Sequence, residues 1–239
     1  MSSSGPISLR ITVPVCSFRK GYAREYLETE EVPPPSTVYG FLLSLVGEED
    51  RRAYLETRIA LGLLSQPELS TVLRTVWRVK AIDVTRKGSP KVHQPPGVGS
   101  NRRPDFQEIL TGVDLAIWVD DGPLTARLRR ASDAPHDVPR FGGLSLGESR
   151  DLVNDILWNP DLSGLTCMWL TTTLEGELPL PIWVDHVGSK GTIWRQFQLV
   201  GNNGDCPPRD DARWVVIDEF SRDVAKKVEP EPTMKKRRK

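Results

Sequence analysis

The sequence predicts an α+β fold: a βαββαβ unit, the order of ferredoxin-like and RRM domains, with an inserted thumb-like arm and a small C-terminal all-β appendage. Three observations support this class. Residues 7–13 alternate between apolar and polar side chains, which is typical of a half-buried strand. Two segments, 36–46 and 124–131, place apolar residues at helical spacing. Beyond Pro160, short apolar runs are separated by Gly, Pro and Asp, as in an all-β region.

The first half of the chain predicts a strand followed by a helix. The strand spans residues 7–13, and Pro14 ends its regular pairing or marks a sheet edge. Ser36 is a suitable N-cap for the helix over residues 36–46, and Gly47 is a suitable stop. A second, more polar helix is predicted over residues 49–60.

The middle of the chain predicts two strands joined by a long arm. The strands span residues 72–84 and 113–119, and a helical turn is expected over 105–110. Residues 85–103 are rich in Gly, Pro and basic side chains. So long a connection is usually either functional or disordered. The spacing of its basic residues favours a projecting arm, here assigned to residues 85–111, that orders on its ligand.

The end of the chain predicts a last core strand, an appendage and a tail. Residues 151–157 suit either a helix or a strand, and we assign them as a strand. Four of the seven tryptophans lie beyond Pro160, and aromatic residues of this kind more often fill cores and interfaces than stack on bases. The resulting division is a domain over 1–160, an appendage over 161–224 and a flexible basic tail over 225–239. The five basic residues that end the tail suit polyanion contact, a localisation signal or a remnant of cloning.

Charge and composition exclude several classes of protein. The chain has 32 basic and 32 acidic residues, yet the segment from Arg74 to Arg103 holds eight basic residues against Asp83 alone. This segregation suits either a solvated face or a one-sided binder of polyanions. No signal peptide and no run of 18 apolar residues is present, and the three cysteines lack disulfide or zinc spacing. The chain therefore reads as cytoplasmic.

The segment from Pro139 to Arg150 is the main candidate binding loop. Its Gly142, Gly143 and Gly147 allow backbone conformations with positive φ and close approach by another backbone. Exposed N–H groups in such loops form anion sites, and Arg140 and Arg150 add positive charge at both ends. An ordinary loop with turn glycines is the simpler interpretation. We expect the loop to hold a nucleic-acid backbone.

Two motifs resemble a known family. The early VPVCSFRKGYAREYLETEEVPPPSTVYGFLLSLVGE and the later PRFGGLSLGESRDLVN are similar to the CRISPR-associated Cas five (Cas5) family of the RAMP superfamily, from type I Cascade complexes. The resemblance covers roughly residues 7–220. It implies an RRM-like domain with a glycine-rich loop after its second helix and a thumb-like hairpin between its second and third strands. Both features coincide with the loop and the arm identified above.

The resemblance also implies an RNA-binding set. Gly142, Gly143 and Gly147 would form the backbone cradle, with Ser149 and Arg150 on phosphates. The loop after the first strand would lie near the RNA, and basic residues would line the thumb. The complete predicted set is Ser17, Arg19, Lys20, Arg24, Arg86, Lys87, Lys91, Arg102, Arg103, Arg140, Gly142, Gly143, Gly147, Ser149 and Arg150. Phosphate contacts of this kind supply affinity and register rather than sequence recognition.

The implied function is a non-catalytic subunit that holds the 5′ handle of CRISPR RNA and caps one end of the Cascade backbone. The implied partners are the Cas seven backbone subunits, the Cas eight large subunit and target DNA near the flanking motif. Some relatives instead cleave precursor CRISPR RNA without metal. His93, His136 and His186 lie in separate loops without an evident partner, so Tyr22, Tyr26 and His93 are weak catalytic candidates. No phosphate-loop motif or metal-ligand cluster is present, and no cofactor is expected. A third interpretation is an RRM-like RNA-binding protein that has no role in Cascade.

Overall fold

The computed structural model describes residues 5–21, 26–77, 102–186 and 191–219. These residues form one largely antiparallel sheet of ten strands and two α-helices. In chain order the elements are β1 (Ile7–Cys16), β2 (Tyr26–Leu27), α1 (Pro35–Leu45), β3 (Arg58–Leu63), β4 (Glu68–Trp77), β5 (Arg102–Val119), α2 (Pro123–Asp133), β6 (Asp155–Trp158), β7 (Thr166–Thr172), β8 (Leu178–Trp183), β9 (Ile193–Asn203) and β10 (Val215–Val216). The predicted α+β class is confirmed.

The centre of the sheet has the strand order β6-β1-β5-β3, and all three neighbouring pairs are antiparallel. Helix α1 connects β1 to β3, and α2 lies between β5 and β6. Alternate residues of β1, from Ile7 to Val13, are buried in one core with Leu42 of α1 and Leu128 of α2. The predicted apolar faces of both helices are therefore the buried ones.

The last strands extend the same sheet. Strand β7 pairs with β3, and β9 and β8 follow it outward. On the sheet face opposite the helices, Trp169 and Trp214 form a second apolar cluster. Gly62 makes room for this cluster, because a Cβ there would lie 2.3 Å from the Sγ of Cys167. Residues on both sides of Pro160 thus share one sheet, and the domain boundary at that point stays a prediction.

Strand β4 and the first half of β5 form an antiparallel ribbon, and the two-residue β2 pairs in parallel with β5 at Phe106 and Gln107. The register of the ribbon runs from Glu68 opposite Thr111 to Trp77 opposite Arg102. The part of the predicted arm over residues 85–101 lies outside the described residues, as does the tail over 225–239. The ribbon is therefore the described base of the predicted arm.

Five local predictions were wrong. The strand predicted over residues 72–84 is not the second strand of the core: its described part belongs to β4 of the ribbon, and β3 takes the core position beside β5. Residues 49–60 do not form a helix: 51–56 form turns, and strand β3 begins at Arg58 because its apolar run is buried between β5 and β7. Residues 105–110 form no helical turn, since β4 satisfies their backbone hydrogen bonds in the ribbon. Helix α1 begins at Pro35, so Ser36 is not its N-cap. The last core strand begins at Asp155 rather than at residue 151.

Candidate nucleic-acid interface

The glycine loop, residues 139–150, lies between the 3₁₀ turn after α2 and strand β6. Gly142 has φ +87° and Gly147 has φ +115°, a region that L side chains rarely adopt. At Gly147 an added Cβ would lie 2.7 Å from Oδ2 of Asp151 and 2.9 Å from the carbonyl oxygen of Ser17. At Gly142 it would meet nothing within 4 Å. Both glycines are required by conformation, and Gly147 is required by packing as well.

Asp151 joins the glycine loop to the segment that follows β1. Its Oδ2 accepts a hydrogen bond from the backbone N–H of Ser17 at 2.9 Å and another from the N–H of Glu148 at 2.8 Å. Burial raises the pKa of Asp151, while these two backbone donors and Arg150 counteract the shift. Ser17 and Asp151 are 134 positions apart in the chain. The structure therefore brings together two of the segments that the sequence predicts to contact RNA.

The segment after β1, residues 17–21, is connected to β5 of the ribbon by hydrogen bonds through Thr29. The Phe18 N–H donates to Oγ1 of Thr29 at 2.8 Å, and the Thr29 N–H donates to Oε2 of Glu108 in β5 at 2.9 Å. Arg19 is exposed, and Nζ of Lys20 lies 3.4 Å from a carboxylate oxygen of Glu28. Ser17 itself is buried, with 2% of its surface exposed. In the structure, Ser17 supports the glycine loop through its backbone N–H, which donates to Asp151.

A polar network connects the glycine loop to the ribbon. Glu148 forms ion pairs with Arg150 at 2.9 Å and with Arg74 of β4 at 3.4 Å. Buried Gln107 of β5 accepts a hydrogen bond from Arg150 at 2.7 Å and donates one to Glu148 at 3.3 Å. Arg74 also bonds to Gln107. The Arg150 side chain is 47% exposed, so it keeps an accessible surface while paired within the protein.

A groove of about 360 Å³ adjoins the glycine loop. Helix α1 contributes small and hydroxyl side chains to one wall, and the glycine loop and the end of β8 complete the lining. Its polar or small members are Ser36, Thr37, Tyr39, Gly40, Ser44, Glu48, Arg51, Ser145, Gly147 and His186. Arg51 stacks over the ring of Trp183 at 4.4 Å and donates to the carbonyl of Val184 at 2.8 Å. The sequence assigns no functional role to His186. It lies far along the chain from α1 and the glycine loop, so no local pattern indicates that it lines the same groove.

The structure places the predicted site residues in three groups. The first group lies in two linked loops, namely the glycine loop and the segment after β1 (residues 17–21). Its members are Ser17, Arg19, Lys20, Arg140, Gly142, Gly143, Gly147, Ser149 and Arg150. Ser17 is buried, Lys20 is half-buried and the others are exposed. Arg102 and Arg103 belong to β5, but their side chains are outside the description. The predicted residues outside the described ranges are Arg24, Arg86, Lys87, Lys91, Tyr22 and His93. Asp151, Glu148, Glu108 and Gln107, which hold the loops in place, were not predicted.

The remaining chemistry of the described residues is limited. The hydroxyl of Tyr26 lies 3.2 Å from Oγ1 of Thr71. Within the described ranges, no group of three or more His, Cys, Asp or Glu side chains is arranged to hold a metal ion. No helix in those ranges has both the length and the apolar character needed to cross a membrane.

Comparison with known proteins gave one relative by sequence. No protein-family model matches the chain. The CRISPR-associated protein Cas5 of Myxococcus xanthus (strain DK1622) is 43% identical over 201 residues, which cover 81% of this chain and 89% of that protein. The identity extends well beyond the two motifs that first suggested a resemblance.

Two solved structures are similar in fold. A chain described as "CRISPR RNA-guided surveillance complex" aligns with a TM-score of 0.54 at 14% identity, covering 83% of this chain and 90% of that one. A "Crystal structure of Cas protein" aligns with a TM-score of 0.50 at 13% identity, covering 82% and 94%. At these identities the likeness concerns the fold alone.

Proposed function

Because this chain belongs to the CRISPR-associated Cas5 family, we propose that it is the subunit of a type I Cascade complex that holds the 5′ handle of CRISPR RNA. In this role it caps one end of the Cas seven backbone, lies beside the Cas eight large subunit and contributes to RNA-guided binding of target DNA near the flanking motif. It acts in the cytoplasm, without a cofactor. The observation that carries the proposal is the hydrogen-bonded link between the glycine loop and the segment after β1.

The linked loops offer RNA the groups that a phosphate backbone needs. The exposed Gly142, Gly143 and Gly147 offer main-chain N–H groups without side chains that would block approach, whereas the N–H of buried Leu146 is bonded to the Asp151 carbonyl. Arg140 and Arg19 supply positive charge around this surface, and Lys20 shares its charge with Glu28. Arg150 shares its charge with Glu148, so it contributes less than a fully exposed arginine. Such contacts fix the position of the RNA strand, and bases are read separately.

The ribbon supports a clamp over this surface. We interpret the central order β6-β1-β5-β3 as a ferredoxin-like module and the β4–β5 ribbon as the base of a thumb. The segment predicted to form the arm, between Trp77 and Arg102, lies outside the described residues and carries Arg86, Lys87 and Lys91 in its sequence; β5 begins at Arg102. The network around Glu148 ties the ribbon to the glycine loop, so the thumb and the cradle would act on one RNA strand.

We propose that the subunit binds RNA without cleaving it. A metal-independent ribonuclease needs one group to accept the 2′-OH proton and another to assist the leaving oxygen. Of the weak candidates, Tyr26 has its hydroxyl next to Thr71, and Tyr22 and His93 lie outside the described residues. Processing of precursor CRISPR RNA by this chain is the alternative function.

Incubation of the purified chain with a labelled precursor repeat, in the absence of metal, separates these functions. We expect retention of intact RNA that carries the handle, with weaker retention of an unrelated RNA of equal length. Cleavage at one position would support the ribonuclease. Equal binding of both RNAs would support a general RNA binder outside Cascade.

A further inference from the structure

We infer that Asp151 is a positioning residue that holds the glycine loop in the shape that accepts the RNA backbone. The inference rests on the proposed function, since it assigns a role within the same interface. Asp151 acts through the main chain of Ser17 and Glu148, not by touching RNA.

The carboxylate of Asp151 is buried and has specific backbone partners. Only 5% of the residue is exposed. One oxygen, Oδ2, accepts both backbone hydrogen bonds, and the other lies 3.8 Å from Nε of Arg150. A buried carboxylate is costly unless hydrogen bonds satisfy it, so these donors account for its presence inside the protein. Its main chain adds bonds within the loop, from the Leu146 N–H at 3.0 Å and to the Glu148 carbonyl at 2.9 Å.

The backbone conformation of Gly147 depends on the same contact between Asp151 and the segment after β1. The Cβ position of Gly147 faces both Oδ2 of Asp151 and the carbonyl oxygen of Ser17. The positive φ of this glycine is therefore set where the loop closes on the segment after β1. Without Oδ2, the N–H groups of Ser17 and Glu148 lose their acceptor, and the reason for this close approach is removed.

Other contacts anchor the loop independently of the Asp151 side chain. Leu146 is fully buried, and the Val153 N–H donates to the carbonyl of Leu144 at 3.0 Å. These contacts remain when the carboxylate is removed. Loss of the carboxylate should therefore decouple the loop from the segment after β1 while the sheet stays folded.

The charge of Asp151 argues for a geometric role. A carboxylate close to an RNA backbone repels it, so removal of the charge alone should favour binding. An asparagine has no charge, but its amide oxygen can accept both backbone hydrogen bonds. The two effects of the side chain, charge and acceptor, can therefore be separated by substitution.

The experiment compares Asp151→Ala, Asp151→Asn and a control, Asp155→Ala, on the full chain. Asp155 is exposed and its Oδ1 accepts only the local N–H of Ile156, at 2.8 Å, among the contacts described, so its removal deletes one nearby negative charge without touching the link. Binding of handle RNA is measured against salt, melting temperature is recorded, and amide hydrogen exchange is followed at Ser17 and Glu148.

We expect Asp151→Ala to bind RNA about tenfold more weakly, with a shallower salt dependence, because one or more loop contacts to phosphate are lost. Its Ser17 and Glu148 amides should exchange quickly. Asp151→Asn should restore both protection and affinity, and Asp155→Ala should bind as tightly as the unmodified chain or more tightly. If Asp151→Ala does not fold, Asp151→Ser, whose side chain is too short to reach both N–H groups, replaces it.

Three results would overturn the inference. Unchanged RNA affinity in Asp151→Ala with rapid exchange at both amides would show that the link does not matter for binding. Equal weakness of the Ala and Asn variants would show that charge, not an acceptor, is needed. Full amide protection in Asp151→Ala would show that the loop is held by other contacts. Failure of the unmodified chain to bind RNA would instead reject the proposed function, and the role assigned within it.

Discussion

Substitution of Gly147 by alanine tests whether the conformation of the glycine loop governs RNA binding. Two costs arise from the geometry. An L residue at φ +115° is strained by about 1–3 kcal/mol. The new Cβ would also press on the Ser17 carbonyl at 2.9 Å and on Asp151 at 2.7 Å, which adds about 1–3 kcal/mol if neither moves.

Gly142→Ala is the matched comparison within the same loop. It carries the conformational cost at φ +87° but no contact within 4 Å of the added Cβ. The two variants therefore differ by the steric part of the free-energy cost, which only Gly147→Ala carries. Taken as about 2 kcal/mol and released by movement of the loop out of its binding shape, it corresponds to about thirtyfold weaker RNA binding for Gly147→Ala than for Gly142→Ala.

Affinity for a labelled handle RNA and the midpoint of urea unfolding should be measured for both variants. We expect the difference to lie mainly in affinity, because the loop can shift while buried Leu146 keeps its place in the core. Equal affinities for the two variants would refute the reasoning. A fall in stability that accounts for the whole loss of binding would show that Gly147 serves folding alone.

Three further predictions concern charge. Arg102→Ala with Arg103→Ala should weaken RNA binding and reduce the salt slope by about one unit per lost phosphate contact; an unchanged slope would remove the thumb from the interface. Glu148→Gln should strengthen binding at low salt, because it releases two arginines from ion pairs, and a weaker complex would show that the ion pairs themselves are needed. Hydrogen bonds from Arg213 lower the pKa of Asp211 below its usual 3.8, so this pair stabilises the fold above that pH and its contribution is lost as pH falls through the lowered pKa. The stability gap between the unmodified chain and Arg213→Gln, from thermal unfolding at several pH values, should therefore narrow below about pH 4, and a gap that widens on acidification would contradict the assignment.

The sequence predicted elements whose pattern is local. Strand β1 alternates over residues that lie between a core and an outer face, and α1 shows its apolar stripe directly. Gly47, predicted to end α1, has φ +65°. The glycine loop was identified because three glycines in six residues are rarely explained by packing alone.

Predictions failed where a distant partner decides the structure. Residues 105–110 could form a local turn, but ten residues of β4 pair with the first half of β5 and impose a strand. The helix predicted over residues 49–60 overlaps the start of β3 at 58–60. The prediction failed there because the sheet neighbours of β3 are β5 and β7, which lie far along the chain. Periodicity carries no information about such partners.

The same limit applied to the candidate site. The sequence indicated which residues supply charge and bare main chain, but not what holds them together. No sequence pattern distinguishes the acidic residues Asp151, Glu108 and Glu148 from solvated surface residues. Their importance depends on backbone N–H groups and arginines that only the folded chain brings within reach.

A cryo-EM structure of this chain in complex with its guide RNA would test the central claim most directly. The account predicts phosphate oxygens of the 5′ handle within hydrogen-bonding distance of main-chain N–H groups between Gly142 and Gly147, with Ser17 and Asp151 still joined beneath them. A complex in which the handle runs elsewhere on the protein, with the glycine loop away from all RNA, would contradict it.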